Sequence, residues 1–424
     1  MRISLVSEHA NPLAALGGAD AGGQNVHVAA LAAGLAARGH EVTVHTRRDS
    51  VDAPACVETD DGYVVEHVPA GPPTDIPKDE LLPHMAELGI RLREQWRRRP
   101  PDLVHAHFWM SGLASLHATR GTSIPVLETF HALGSVKRRQ QGPLDTSPPS
   151  RIDHERRICA EVDHVIATCC DEVEELRLLG LPSSRATVIP CGVDTRQFHP
   201  GDPDDPDAPD HAGSHRWDAG RGRRPYRLLV LGRLVTRKGV GNAIEALAEL
   251  KDRGWADAEL LIAGGSPGEA LAADPEVHRL RSLADRLGVL DRVRFLGSVA
   301  RPDVPDLIRS VDVVVTVPWY EPFGIVPLEA MACGRPVVGS AVGGLLDTIV
   351  PGTTGELVPP REPELLAATL RDLLDDPGRR RRYAEAGRER AVALYDWENV
   401  VARTEAAYAD VVAGTRPTRT EVAR

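Results

Sequence analysis

Long apolar runs and aromatic residues are what this chain has least of. No stretch of 18 apolar residues occurs, and Phe, Trp and Tyr together make up 4% of 424 residues. The first absence excludes a membrane-spanning helix. The N-terminus, MRISLVSEHA, is not followed by an apolar core segment, so it reads as a strand start and not as a signal peptide. Cysteine is also sparse. Cys56, Cys159, Cys169, Cys170, Cys191 and Cys333 form no C-x-x-C pair, which argues against a disulfide framework or a zinc site. Reduced thiols in the cytoplasm are the expectation. Lys and Arg number 50 against 61 Asp and Glu, a net charge of −11, which disfavours nucleic acid as a partner. Only a short tail after Thr415 is mildly basic. A P-loop and a G-x-G-x-x-G fingerprint are missing, so two common routes to phosphate binding are unsupported.

Gly and Pro are plentiful, at 38 and 34 residues, and they punctuate an α/β pattern. Residues 2–7 read as a strand, 24–38 as a helix closed by Gly39, and 41–47 as a second strand. Further strands are expected at 63–68, 103–107, 126–130, 165–168 and 187–190, with helices between them and a long one at 78–99. Residues 199–224, HPGDPDDPDAPDHAGSHRWDAGRGRR, break the pattern and read as a linker carrying solvated charge. A second α/β set follows, with strands at 227–231, 259–263, 292–296, 312–317, 336–340 and 356–358 and helices at 238–251 and 362–395. The fold expected is α/β, with two tandem doubly wound Rossmann-like domains and a cleft between them. The domains are placed at 1–198 and 225–395, with the linker at 199–224 and a terminal helix within 396–424 returning to the first domain.

Ligands in such sheets bind beyond the carboxyl ends of strands, and four sequence features fall there. Gly17, Gly18, Gly22 and Gly23 precede a helix start, where backbone can approach an anion. Arg233 and Lys238, in GRLVTRKG, could clamp a diphosphate, while Arg237 in the same turn reads as exposed. His131 ends the strand at 126–130. The stretch 311–334, VDVVVTVPWYEPFGIVPLEAMACG, reads as a buried strand, a tight loop and a helix from Gly324 to a terminal Gly334. Glu321 in its loop could take sugar hydroxyls, and Glu329 on its helix ribose hydroxyls. Read alone, that stretch could equally be a surface loop with two stray acids. His105 and His107 have metal-ligand spacing, but no third ligand lies nearby and a strand end explains them as well.

Together, GGADAGGQNVHV at 17–28, PCGVDTRQF at 190–198, GRLVTRKG at 232–239 and EPFGIVPLEAMACGRPVV at 321–338 resemble retaining glycosyltransferases of family 4, which have the two-domain GT-B fold. The resemblance spans nearly the whole chain. Within that family it is strongest to the mycothiol-pathway branch that moves N-acetylglucosamine from a UDP donor to inositol phosphate, and weaker to sucrose-phosphate synthases. It implies a nucleotide-sugar donor, with UDP favoured over GDP, no required metal or other cofactor, and retention of anomeric configuration. By the same resemblance Gly22 and Gly23 contact donor phosphate. Arg233 and Lys238 bind the diphosphate and assist its departure. Glu321 orients the donor sugar, with the Phe323 and Gly324 amides close by and Ile325 in the same set. Glu329 binds ribose, and His131 sits by the C6 hydroxyl.

The inositol-phosphate branch surrounds its acceptor with an Asn, a Lys, a Tyr, a Thr and an Arg. Asn25 and Lys78 match, and Arg156 or Arg157 in HERRIC supplies the arginine. Phe108 stands at the tyrosine position and Ala132 at the threonine position. Each lost hydroxyl is worth about 0.5–1.5 kcal/mol. A small polar acceptor is therefore expected, with inositol phosphate as one candidate and a specialised-metabolite precursor as another. A lipid headgroup acceptor, a non-catalytic nucleotide-sugar binder and a homodimer remain open alternatives.

Overall fold

The computed structural model describes residues 1–14, 22–201 and 225–414. Gly17, Gly18, the stretch 202–224 and the basic tail lie outside these described residues. Two compact units result, one built from Met1–Cys191 together with the chain from Trp397, the other from Gly192–Asp396.

Unit 1 holds one sheet of Arg2–Val6 (β1), Glu41–Arg47 (β2), Cys56–Glu58 (β3), Val64–Val68 (β4), Leu103–His107 (β5), Val126–Thr129 (β6), His164–Ala167 (β7) and Ala186–Val188 (β8). Their spatial order is β3-β4-β2-β1-β5-β6-β7-β8. Every pair is parallel except β3–β4 at the edge. Parallel pairing needs helical crossovers that cover both faces, so the strands read as nearly continuous apolar runs. All five residues of β5 are buried. β3, which the sequence reading does not place, is short and largely exposed. With few buried side chains, it leaves little apolar signal to read.

Unit 2 is a six-stranded parallel sheet of Tyr226–Leu231 (β9), Ala258–Ala263 (β10), Val293–Gly297 (β11), Val313–Thr316 (β12), Val337–Ser340 (β13) and Gly355–Val358 (β14). The order is β11-β10-β9-β12-β13-β14. Its two covered faces are visible in the residue alternation. Leu228, Val230, Leu260, Ile262, Val313 and Val315 pack into one core. Leu229, Leu261, Ala263 and Val314 pack into the other. A fully buried Leu or Val side chain stabilises by about 1.5–3 kcal/mol, so both layers are needed to hold the sheet. The chain order thus reproduces two doubly wound α/β units.

The expected helix at 78–99 begins later than the periodicity predicts. Two short 3-10 turns, Lys78–Glu80 and Leu82–His84, precede the α-helix Met85–Arg98. Pro83 explains the delay, because it lacks an amide hydrogen and tolerates only the first turn of a helix. Val193 and Phe198, placed with the first domain by the sequence reading, lie in the unit 2 core. No described helix is long and apolar enough to cross a membrane.

The C-terminal helix Trp397–Ala413 belongs to unit 1, where Val400, Val401 and Tyr408 join Leu31, Leu35 and Val44 in the core. A polar chain ties it to the sheet, and the direction of every hydrogen bond in that chain follows from one carbonyl. The Ile166 carbonyl can only accept, so the Thr129 hydroxyl donates to it, at 2.9 Å. The Thr129 oxygen must then accept from His105 Nε2–H, also at 2.9 Å. His105 Nδ1 is left bare and accepts from the Tyr408 hydroxyl at 2.6 Å. Tyr408 and His105 are both fully buried.

Tyr408→Phe should therefore strand the His105 Nδ1 lone pair and destabilise unit 1 by about 1–3 kcal/mol. Urea denaturation followed by tryptophan fluorescence measures this. A loss below about 0.5 kcal/mol would show that the chain contributes nothing.

Candidate functional site

In unit 2 the loops after β9 and β12 are bound to each other by backbone. Gly239 has φ 71°. A Cβ there would sit 1.9 Å from the Val317 carbonyl oxygen, so only glycine allows the approach. The Trp319 amide donates to the Arg237 carbonyl at 2.8 Å. This contact delivers the Lys238 ammonium, at the end of the 3-10 turn Thr236–Lys238, to the Glu321 carboxylate, 83 residues further along the chain. From the other side, the loop after β13 closes on the same segment. The Gly344 amide donates to the Glu321 carbonyl at 2.8 Å, and a Cβ on Gly343 would lie 2.3 Å from that oxygen.

The electrostatics of Glu321 is a contest that its partners win. Burial pushes its carboxyl up, but Lys238, Arg237 and the Phe323 amide together hold it below the usual carboxylate range. Two readings from sequence change here. Arg237 is not an exposed turn residue; it is half-buried and in the field of Glu321, and burial lowers its own pKa. The Phe323 amide, expected on a sugar or phosphate, donates to the Glu321 carboxylate. Arg233 is exposed in the turn after β9.

Gly324 has φ 74° and is the residue before the helix Ile325–Ala332, whose first amides face away from any intrahelical partner. Glu329 on that helix is 2% exposed. The Arg301 guanidinium donates to it and lies 4.5 Å from the centre of the Phe198 ring. Burial raises the Glu329 carboxyl, and Arg301 offsets part of that rise. Arg301 is a residue that sequence reasoning missed, since R-P-D in a loop carries no motif. Gly334 has φ 67° and ends the helix, with the Arg335 amide donating back to the Ala330 carbonyl at 2.9 Å.

In unit 1 the strand ends carry backbone strain. Among the described residues three non-glycines have positive φ, and two of them are Phe108, directly after β5, and His131, two residues after the adjacent strand β6. Such a conformation costs on the order of 1–3 kcal/mol and persists only where the surroundings enforce it. His131 is the centre of a three-residue turn closed by the Ala132 amide on the Phe130 carbonyl at 2.6 Å. Its ring lies among His27, His105 and His107, all buried. Burial pushes His27 down to about 4 and His105 to about 3, and lowers His107 and His131 well below the usual range. These rings are neutral imidazoles. Among the described residues no group of three or more His, Cys, Asp or Glu is placed to hold a metal ion.

Gly22 precedes the helix Gly23–Ala37. Asn25, also buried, spans from the helix start to the loop after β1. Its Oδ1 accepts from the Gly22 amide at 3.1 Å and its Nδ2 donates to the Asn11 carbonyl at 2.8 Å. A third cluster surrounds the Phe108 ring, with Lys78 Nζ 5.9 Å and the Arg151 guanidinium carbon 5.1 Å from its centre. Arg151 also donates to the Ala132 carbonyl and the Ser147 hydroxyl. It pairs with Glu155 at 2.8 Å, whose carboxylate in turn accepts the Gly134 amide at 2.9 Å.

Arg156 and Arg157 do not join this group. Both are exposed and pair with Asp153 and Glu161 on the outer face of the helix Arg151–Glu161. Arg151 is the arginine that meets Lys78, Phe108 and Ala132. Its i,i+4 spacing to Glu155 does not single it out, since Arg157 has the same spacing to Glu161; Glu155 is the one acid of that helix that turns inward, and only the structure shows this.

Two family models match the chain, Glycosyltransferase Family 4 over residues 21–197 and Glycosyl transferases group 1 over residues 213–390. D-inositol 3-phosphate glycosyltransferase 1 of Catenulispora acidiphila is 35% identical over 98% of this chain and 97% of its own. D-inositol 3-phosphate glycosyltransferase of Geodermatophilus obscurus is 35% identical over 96% of this chain and 89% of its own. Among solved structures, sucrose-phosphate synthase from Thermosynechococcus elongatus superposes with a TM-score of 0.85 at 31% identity, covering 98% of this chain and all of the other.

The depressed carboxyl of Glu321 makes a signed prediction. Its folded pKa lies below the ordinary 4.5, so its contribution to stability is present above that value and is lost as pH falls through the lower folded one. Glu321→Gln should thus destabilise unit 2 at about pH 7, with the difference from wild type narrowing towards about pH 4 and below. Urea midpoints across that range measure it. A pH-independent difference would mean that no ionised pair is present.

Proposed function

The chain belongs to the glycosyltransferases of group 1 and family 4, and on that premise we propose that it is a retaining enzyme acting on a nucleoside diphosphate sugar, with UDP favoured over GDP. One observation carries the donor assignment. An ammonium and a carboxylate, Lys238 and Glu321, are held together by backbone at the carboxyl ends of adjacent parallel strands, beside the helix start at Gly324. An ammonium has three hydrogens, so Lys238 can stay on Glu321 and still donate to a diphosphate.

In this reading the bond between the sugar's anomeric carbon and the β-phosphate oxygen breaks. The acceptor oxygen bonds to the same face of that carbon, and its proton passes to the departing phosphate oxygen. Lys238 and Arg233 stabilise the charge that develops on the leaving group. Glu321 orients sugar hydroxyls. Glu329 accepts from the ribose, with Arg301 favouring its charged form despite burial. The amides from Gly324 and Ile325 meet phosphate. In unit 1, Gly22 and Gly23 serve the same end, Asn25 shapes the helix start, and His131 faces the sugar.

For the acceptor we propose a small phosphorylated polyol, D-inositol 3-phosphate being the first to test because the full-length relatives carry that name. Lys78 and Arg151 supply the positive charge. Phe108 and Ala132 offer no hydroxyl, so this chain relies on charge and on the Ser147 region where that branch of the family uses hydroxyl donors. The reading places the enzyme in the cytoplasm and requires no metal.

The test is product formation from UDP- and GDP-sugars with D-inositol 3-phosphate, unphosphorylated inositol and fructose 6-phosphate, followed by analysis of the product anomer. Transfer with inversion, or equal use of phosphorylated and unphosphorylated acceptors, would overturn the reading. Arg151→Met should raise the acceptor KM about 10- to 100-fold, the loss of a charge-assisted bond of about 1.5–3 kcal/mol. Lys238→Ala should lower kcat more than it weakens donor binding. Activity should survive a chelator; its abolition would show that a metal takes part.

A further inference from the structure

We infer that Arg361 is a positioning residue for the donor segment: its guanidinium, aimed by a left-handed backbone, stacks on the Trp319 indole and holds residues 318–323, Glu321 among them, in place. The link to the reaction rests on the proposed donor role of Glu321.

Arg361 is the third non-glycine with positive φ among the described residues, at 63°. It follows Pro360 in the turn after β14. Proline followed by positive φ is the order of a type II turn, whose second central place normally goes to Gly or Asn because other side chains are strained there. Turn chemistry alone therefore calls for a glycine, and an arginine bears the conformational cost. The contact it makes offsets that cost. Its guanidinium carbon lies 3.9 Å from the centre of the Trp319 ring, against 4.5 Å for Arg301 over Phe198. At that distance the planar cation rests on the ring face.

The topology requires a long side chain for this. β13 lies between β12 and β14, so the strands that lead to Trp319 and Arg361 are two spacings, about 10 Å, apart. Three strand-end loops thereby converge on one segment. From β9, the Arg237 carbonyl accepts the Trp319 amide at 2.8 Å. From β13, the Gly344 amide holds the Glu321 carbonyl, and a Cβ on Gly344 would lie 2.7 Å from the Pro322 carbonyl oxygen. From β14 comes Arg361. The first two loops fix backbone atoms. Arg361 fixes the half-buried Trp319 ring, two residues from Glu321.

Arg361→Gly removes the stack without straining the chain, because glycine accepts positive φ. The full-length protein labelled with 5-fluorotryptophan should give six fluorine signals, one per tryptophan. Trp319 is assigned by its loss in Trp319→Phe. Arg361→Gly should shift the Trp319 signal. It should also raise hydrogen exchange across residues 318–323 about two- to fivefold, the factor carried by an exposed cation–ring contact. An unmoved Trp319 signal, or unchanged exchange across 318–323, overturns the inference. Should the glycine variant fail to fold, Arg361→Asn, which also tolerates positive φ, decides by the same readouts.

Donor kinetics read the consequence. Arg361→Gly should lower kcat/KM for the sugar nucleotide about two- to fivefold, with the acceptor KM unchanged. In a Trp319→Leu background the same substitution should cost nothing further, since both side chains act through one contact. A full additional loss there would show that Arg361 acts without Trp319, and overturns the inference. Faster exchange with unchanged donor kinetics would instead overturn the donor role of Glu321 and leave the stack standing.

Discussion

Parallel strand pairing is the constraint on which both units depend. Parallel neighbours end on the same edge, so each crossover returns its loop to that edge. In unit 2 this brings the loops after β9 and β12 together, and the pair Lys238–Glu321 exists because of it. In unit 1 it places Phe108 and His131 side by side beyond β5 and β6. The strain at those two residues is affordable only because the buried sheet beneath them leaves the chain no other path.

Charge burial divides the molecule chemically. Glu321 faces both Lys238 and Arg237 and stays below the ordinary carboxylate range. Glu155 and Glu329 each have one arginine, and burial still raises them. Glu128, on β6, has no hydrogen-bond partner for either oxygen and is pushed well above its usual range, so it is a neutral acid. The gradation follows the number of cations each acid can reach. It also means that removing one partner of these pairs costs more than the pair itself contributes, since an uncompensated buried charge remains. The histidine core of unit 1 takes the opposite course, with burial lowering the pKa of all four rings.

Much of the candidate site was legible because it lies in local sequence. Glycine pairs, E-x7-E spacing and the alternation of buried strands are all short-range signals, and helix ends at Gly39 and Gly334 announce themselves. The errors are equally physical. The helix expected from Lys78 was judged by its apolar spacing, which does not register that Pro83 removes an amide. Arg156 or Arg157 in HERRIC was named and Arg151 was missed, because inward orientation depends on which face of the helix is buried. Arg237 and Lys238 are adjacent in sequence with the same charge, and nothing local shows that both reach Glu321.

The sequence by itself determined two doubly wound α/β units, their strand order along the chain and the residues at each strand end, because periodicity and turn chemistry are properties of neighbouring residues. The tertiary structure alone decided which of those strand-end groups meet. Arg151 joins Lys78 at Phe108, Arg301 joins Glu329, and the Ile166 carbonyl sets the proton order through Thr129 and His105 to Tyr408 of the last helix. Those pairings span up to 303 residues, and a partner's identity at that distance is set by sheet register and burial, which no local pattern encodes.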